Sequence, residues 1–262
     1  MKKTQLFGIL NTTPDSFFDG GKYFNFKNAI QRGIQIEQEG ADWIDIGGES
    51  TRPNASYVSA EEEMVRVLPV IRELKNLVKI PISIDTYKPE VAKAALEAGA
   101  SLINDISGLS SPEMVAIAKD YQCPVCVMHM QGTPSTMQIN PCYPLGVVQE
   151  LLLWFEKKID SLLSNGISQI ILDPGFGFGK TVQHNIELLK NISEFKKFGY
   201  PLFLGLSRKS FIMHTIKKSR EELLPASIAV ASFAKLQKVD YLRVHDVGST
   251  RDAMTILDGI LI

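Results

Sequence analysis

Apolar residues along the chain are gathered into short unbroken runs at 6–10, 43–47, 82–85, 102–106, 125–129, 170–173, 203–207 and 241–245. A run of this length without polar alternation suits a strand covered on both faces, as in a parallel sheet. Between the runs the pattern changes to the three-and-four spacing of amphipathic helices, at 29–41, 59–74, 89–100, 146–163, 185–198, 225–238 and 249–262. Local signals agree with that spacing. Ser59 and Glu62 are placed for a capping box, in which each side chain reaches the other's backbone N–H. The segment 89–100 starts with proline and ends in Gly-Ala, the usual asymmetry of helix ends. Strand–helix alternation repeated eight times predicts an α/β fold with a parallel sheet. Over 262 residues it favours a closed (β/α)8 TIM barrel over an open doubly wound sheet. The stretches rich in Pro, Gly and Asn at 11–22, 47–57 and 131–144 each follow a predicted strand. They read as barrel loops rather than linkers, so residues 1–262 are taken as one domain.

In such a barrel the chemistry gathers at the C-terminal ends of the strands. Here every strand end turns polar: Asn11; Asp45, then Glu49-Ser50-Thr51-Arg52; Asp85; Asn104-Asp105; His129; Asp173; Ser207-Arg208-Lys209; Arg243 and His245. One such residue means little, because a strand must become polar where it meets water. All of them together point to a ring of carboxylates, amides and cations around one site. Several keep a blander reading of their own. His129 alone reads as a satisfied, partly buried histidine, and Asp45 and Asp105 as loop caps or partners of a nearby cation.

Composition narrows the class. Lys plus Arg is 28 and Asp plus Glu is 29, so no basic excess points to nucleic acid. The start, MKKTQLFGIL, is too short in apolar residues for a signal peptide, and no apolar run nears the ~20 residues of a membrane span. Three cysteines argue against a disulfide framework. The simplest expectation is a soluble, cytoplasmic protein. Cys123 and Cys126 form a C-x-x-C at the start of a strand, where positions three apart face opposite sides, and are read as small buried hydrophobes.

The glycine-rich segment ILDPGFGFGKT, 171–181, looks like a phosphate cradle but fails the templates. Counting back from Gly179-Lys180-Thr181, the P-loop's first glycine falls on Pro174, which has no N–H to donate. Gly175, Gly177 and Gly179 run at even spacing, which is not the dinucleotide pattern either. They are left as residues that permit a tight turn, beside a carboxylate, Asp173.

The chemistry divides in two. Asp85, Asn104, Asp173 and Lys209 suit a flat polar heterocycle, since a carboxylate accepts two N–H bonds in a fork and an amide both donates and accepts. Arg52, Arg243, His245 and Asn11 suit an anion. Arginine forks match phosphate, and an Asn carbonyl can join a Mg²⁺ shell that includes phosphate oxygens.

The segments GILNTTPDSFFDGG, DIGGESTRP, SIDTYK, LINDISG, VMHMQGTP, ILDPGFGFGKT, LGLSRKSF and LRVHDV occur in this order, and in them the chain resembles the dihydropteroate synthase family of the folate pathway from end to end. The resemblance implies a (β/α)8 barrel, a homodimer and Mg²⁺ as cofactor. It implies a transferase that joins 6-hydroxymethyl-7,8-dihydropterin pyrophosphate to p-aminobenzoate, releasing pyrophosphate and 7,8-dihydropteroate, and a target of sulfonamides. It implies a pterin pocket of Asp85, Asn104, Met128, Asp173, Lys209 and Arg243, with Arg243 stacked on the ring. Asn11 with Mg²⁺, Arg52, Arg243 and His245 would hold pyrophosphate, and Arg52, Lys209, Arg243 and His245 would carry catalysis. Phe17, Ser50, Thr51, Arg52, Pro53, Lys209 and Ser210 would form the p-aminobenzoate site. The chain departs from the family pattern at Thr12, Phe18 and Asn54. Two other readings stand beside this one. A methyltetrahydrofolate-dependent methyltransferase module shares the barrel and a similar pterin pocket but needs no pyrophosphate site, and an inactive barrel kept for subunit association needs neither half.

Overall fold

The computed structural model describes residues 3–13, 21–51 and 56–261, with the backbone alone at 21–25. The eight apolar runs are the strands β1 Gln5–Asn11, β2 Trp43–Gly47, β3 Ile82–Asp85, β4 Leu102–Asp105, β5 Val125–Met128, β6 Ile170–Asp173, β7 Phe203–Leu204 and β8 Tyr241–Val244. All neighbours pair in parallel, in the order β6-β5-β4-β3-β2-β1-β8-β7. The ring closes between β6 and the residues before β7 through a single bridge, Leu172 to Leu202, with Leu172 N–H donating to Pro201 O at 2.9 Å. Pro201 accepts but has no N–H to return, so this seam is the thinnest in the barrel. β7 is also shorter than its apolar run, 203–207, because the chain turns at Ser207 and Arg208.

The described helices are α1 Gly21–Gln38, α2 Ala60–Leu77, α3 Pro89–Ala98, α4 Pro112–Tyr121, α5 Val147–Ser164, α6 Val182–Lys190, α7 Ser210–Ile216, α8 Leu224–Leu236 and α9 Val247–Ile260. Four features differ from the sequence reading. α1 begins well before residue 29. α4, which the apolar spacing did not mark, buries only Met114 and Ala118. The segment 185–198 divides at Asn191 into α6 and a 3-10 stretch, Ile192–Phe198. α7 and a 3-10 turn, Arg220–Leu223, are inserted before α8. The capping box at α2 is half made. Ser59 accepts from the Glu62 N–H at 3.2 Å, but the Glu62 carboxylate pairs with Arg66 at 2.5 Å. None of the described helices is long and apolar enough to cross a membrane.

The two-residue period of a strand decides what each position does. One parity of β1–β8 faces the helices. There Leu6, Ile44, Ile84, Ile103, Val127, Leu172 and Leu242 join the large core beneath the helix layer. The other parity faces the barrel axis. At its lower end Phe7, Leu102, Cys126, Ile171 and Phe203 form a separate plug with Trp43 and Tyr241. Phe7 stacks on Trp43 at 5.0 Å and meets Phe203 edge-on at 5.0 Å. Cys123 and Cys126 lie in the two different cores and are unpaired, so no dithiol site forms. The plug closes the barrel floor, and the next inward residues upward are mostly polar, with Ile9 and Met128 the apolar ones among those of β1–β6 and β8.

Candidate active site

Continuing the inward parity past the plug gives Asn11 on β1, Asp45 on β2, Ser83 and Asp85 on β3, Asn104 on β4, Met128 on β5, Asp173 on β6, and Arg243 with His245 at β8. These sit beneath or line a cleft of ≈ 770 Å³ at the C-terminal mouth, which Ser50, Thr51, Lys209 and Ser210 also line. The two strand-end residues of opposite parity do not reach it. Asp105 faces the helices, where it caps its own loop by accepting from Ser107 N–H at 2.7 Å and Leu109 N–H at 3.0 Å. His129 lies edge-on to Trp154 of α5 at 5.1 Å, with Nδ1 3.1 Å from Lys180 Nζ. The expected ring of all eight strand ends is corrected accordingly. Phe17, Arg52 and Pro53, and with them Phe18 and Asn54, lie outside the described residues.

The floor of the cleft is a charge network. Arg243 donates from Nε to Asp45 Oδ2 at 2.5 Å and from Nη2 to Asp85 Oδ2 at 2.6 Å. Asp45 also accepts from the Ser83 hydroxyl and from Asn104 Nδ2 at 3.2 Å. It is fully buried, so these bonds replace water around its charge. Burial raises the Asp85 carboxyl, with Asp45 adding to the rise and Arg243 opposing it. The resemblance gave Arg243 to an anion site and to stacking on a ring. In the structure it is first the bridge between two carboxylates, so much of its charge is already matched.

Asp173 is buried at the end of β6 and accepts from Gly175 N–H at 2.8 Å through Oδ1. Burial pushes its carboxyl up to about 6, against the pull of that N–H and of Lys209. The Lys209 ammonium stands 4.3 Å over the Phe178 ring, and burial brings it down to about 8. His245 is pushed down to about 3 by burial and by the nearby cations Arg243 and Arg220. It is therefore a neutral ring at pH 7, with Nδ1 3.1 Å from Ser207 Oγ. With the hydroxyl donating to Nδ1, the ring proton sits on Nε2 and is available to an acceptor in the cleft.

The glycine-rich segment after β6 is a turn and not a phosphate cradle. Gly175, Gly177 and Gly179 all have positive φ, and a Cβ on Gly175 would lie 2.0 Å from His129 O. Lys180 is buried in the turn, donating to Phe178 O at 2.9 Å and His129 O at 3.3 Å. Burial lowers its ammonium to about 7. It fastens the turn to β5.

A family model described as "Pterin binding enzyme" matches residues 7–245. The chain is 46% identical over 254 residues to the dihydropteroate synthase of Haemophilus influenzae, covering 96% of this chain and 92% of that one. The chain belongs to the pterin-binding enzymes. Among solved structures of this family, the Yersinia pestis dihydropteroate synthase in a sulfonamide drug complex superposes with a TM-score of 0.93 at 41% identity, covering 99% of this chain and 94% of that one. The Xanthomonas albilineans dihydropteroate synthase with 4-aminobenzoic acid does so at 0.93 and 39%, covering 99% and 93%. The match runs from Phe7 in β1 to His245, just past β8, so it reaches all eight strands and stops before α9.

Within this pterin-binding mouth the sequence reading missed the cleft wall above the floor: Ile106, Met137, Gln138, Phe176, Phe178, Met213 and Arg220. Ile106, Met137, Gln138, Phe176 and Phe178 come from loops, and Met213 and Arg220 from the inserted α7 and the 3-10 turn, none of which a strand period dictates. Arg208 was among the polar strand ends, but its role was not legible. Its φ is 54°, and its guanidinium grips Asp246 with bonds of 2.8 and 2.7 Å. That fork ties the Lys209 loop to the start of α9, beside His245. Its left-handed backbone, shared among the described residues with Leu109, Gln122, Asn140, Lys217 and Lys238, is something a sequence does not display.

Proposed function

We infer that the chain transfers the 7,8-dihydropterin-6-ylmethyl group from its pyrophosphate ester to the amine of p-aminobenzoate, giving 7,8-dihydropteroate and pyrophosphate. The observation that carries this is Asp173. It is a buried carboxylate on a strand end, with Oδ2 taking no bond from a described residue, in the same cleft as Asn104 and Asp85. Such a set reads the amino and ring N–H groups of a pterin, and Lys209 serves the ring carbonyl. The second half of the mouth holds the leaving group: Asn11, the neutral His245 as an N–H donor, the remaining N–H groups of Arg243, and Arg52.

The methylene C–O bond breaks with its electron pair leaving on pyrophosphate. The cation so formed is delocalised into the electron-rich pterin ring, above the carboxylates of Asp45, Asp85 and Asp173. The amine nitrogen then bonds to the methylene carbon and releases one proton. The aniline nitrogen is neutral at pH 7, so this dissociative substitution needs no protein nucleophile and no covalent intermediate. Electrostatic stabilisation of both fragments carries the rate. Ser50, Thr51 and Ser210, with Phe17 and Pro53, supply the p-aminobenzoate site.

Among the described residues no three His, Cys, Asp or Glu side chains cluster as a ligand set. The half-buried Asn11 amide is a hard oxygen donor at the cleft, which fits a Mg²⁺ whose other ligands are phosphate oxygens and water. Bound there, the ion neutralises charge on pyrophosphate. A homodimer through the α8–α9 face accords with the exposed Phe233, Leu236, Ile256 and Ile260, and a cytoplasmic location with three unpaired cysteines.

A methyltransferase module would leave the anion half without a purpose. The test is to incubate the protein with the pterin pyrophosphate, p-aminobenzoate and Mg²⁺ and to identify the product by mass. Dihydropteroate formed one-for-one with pyrophosphate is the expected result. Pyrophosphate release that ignores p-aminobenzoate, or no product, would overturn the reading.

A further inference from the structure

Away from the cleft floor, Lys88 lies buried just after β3 with its ammonium between two carboxylates. It donates to Glu49 Oε2 at 2.5 Å and to Glu63 Oε2 at 2.5 Å, and stands 4.7 Å over the Tyr87 ring and 5.3 Å over the Tyr57 ring. The side chains of Lys88, Glu49 and Glu63 are 7%, 9% and 1% exposed. Neither Lys88 nor Glu63 lines the cleft.

Glu49 stands at the start of the β2–α2 loop, and its second oxygen reaches the loop's other end, accepting from Val58 N–H at 3.1 Å. One carboxylate therefore joins both sides of the loop neck, and Lys88 holds that carboxylate against α2 and the β3–α3 connection. The neighbouring residue is held as closely. Gly48 O accepts from Arg66 at 2.8 Å, and a Cβ on Gly48 would lie 2.8 Å from both Glu63 and Val67. From this neck Ser50 and Thr51 project into the cleft.

We propose that Lys88 is a positioning residue for the second-substrate site: through Glu49 it fixes the neck of the β2–α2 loop and so the placement of Ser50 and Thr51. Three charges taken from water are a costly way to gain stability alone, because well-packed apolar residues serve as well. They do fix a geometry, which is what a site carried on a loop requires. The proposal rests on the assignment of p-aminobenzoate to this loop, and it leaves the pterin floor, built on β3, β4 and β6, independent of the clasp.

The test uses Lys88→Met, Lys88→Arg and Glu49→Gln in the full chain. Amide hydrogen exchange reads the neck directly and needs no activity. In Lys88→Met the Val58 amide is expected to exchange at least tenfold faster, with the amides of β4 and β6 unchanged. Steady-state kinetics should show KM for p-aminobenzoate raised tenfold or more, with calorimetric affinity for a pterin lacking pyrophosphate within twofold of wild type. Lys88→Arg, which keeps the charge, should recover part of the loss. Should Lys88→Met fail to fold, Glu49→Gln carries the test, with a KM increase of threefold or more expected. Unchanged Val58 exchange, or an unchanged KM in a folded variant, overturns the proposal. So does a loss of pterin affinity as large as the loss for p-aminobenzoate. If exchange rises while no protein, wild type included, makes product, the clasp stands and the functional assignment falls.

Discussion

At Asp173 one carboxylate oxygen accepts from the Gly175 amide and the other faces the cleft. Asn in its place turns one acceptor into a donor and sets N–H against N–H. Bonds to a charged group are worth roughly 1.5–3 kcal/mol. Asp173→Asn is therefore expected to weaken binding of a bare pterin by about one to two decades, measured by calorimetry. The same residue sets a pH dependence. Pterin binding needs Asp173 ionised and Lys209 protonated. With these groups at about 6 and about 8, affinity in the free protein should fall below the first value and above the second. Lys209→Met should abolish the alkaline limb and keep the acidic one. A variant that kept both limbs would assign the upper one elsewhere.

At the scale of an element, the turn after β6 tests whether the glycines serve phosphate or backbone. Gly175 has φ 71° and no room for a Cβ beside His129 O. Gly175→Ala should cost at least ~1–3 kcal/mol from backbone strain alone, seen as a lower denaturation midpoint. ATP added to the wild type should leave that midpoint unchanged. The elements were legible where burial on both faces made unbroken apolar runs, which is why β2, β3 and β6 fall on their predicted bounds. α4 escaped because a helix with so few buried positions, Met114 and Ala118, carries little periodic signal, although Ser111-Pro112 marks its start. The segment 185–198 read as one helix because its apolar spacing runs on through Asn191. Strand parity, available in the sequence, would have set Asp105 and His129 apart from Asn104 and Met128. Arg243's bridge and the Lys88 clasp were not legible, because their partners lie 198, 158, 39 and 25 residues away and no local pattern links them.

Across the whole molecule, polar groups enter the interior of both layers and tie stability to pH. His129, between β5 and α5, is held neutral by burial and by Lys180, with its pKa down at about 2. A histidine lowered from about 6.5 gives stability that is fully present above that value and is lost as pH falls. The rise of Asp173 works in the opposite sense, with stability gained as pH falls through about 6, so the total is mixed and a difference is the cleaner observable. The stability advantage of wild type over His129→Gln should shrink by roughly 1.4 kcal/mol per pH unit as pH is lowered from about 6.5. A difference independent of pH would mean that His129 is protonated in the fold.

The mouth of the barrel carries the central claim, that one cleft holds a pterin on strand ends and a pyrophosphate beside it while an arylamine attacks. The most direct measurement is p-aminobenzoate-dependent pyrophosphate release by wild type and by folded Asp173→Asn, at pH 7 with Mg²⁺ and subsaturating pterin pyrophosphate. The account predicts sustained release, beyond one equivalent per site, by the wild type only when p-aminobenzoate is present, and a rate in Asp173→Asn lower by at least a decade. Sustained release without the amine, or equal rates in the two proteins, would contradict it.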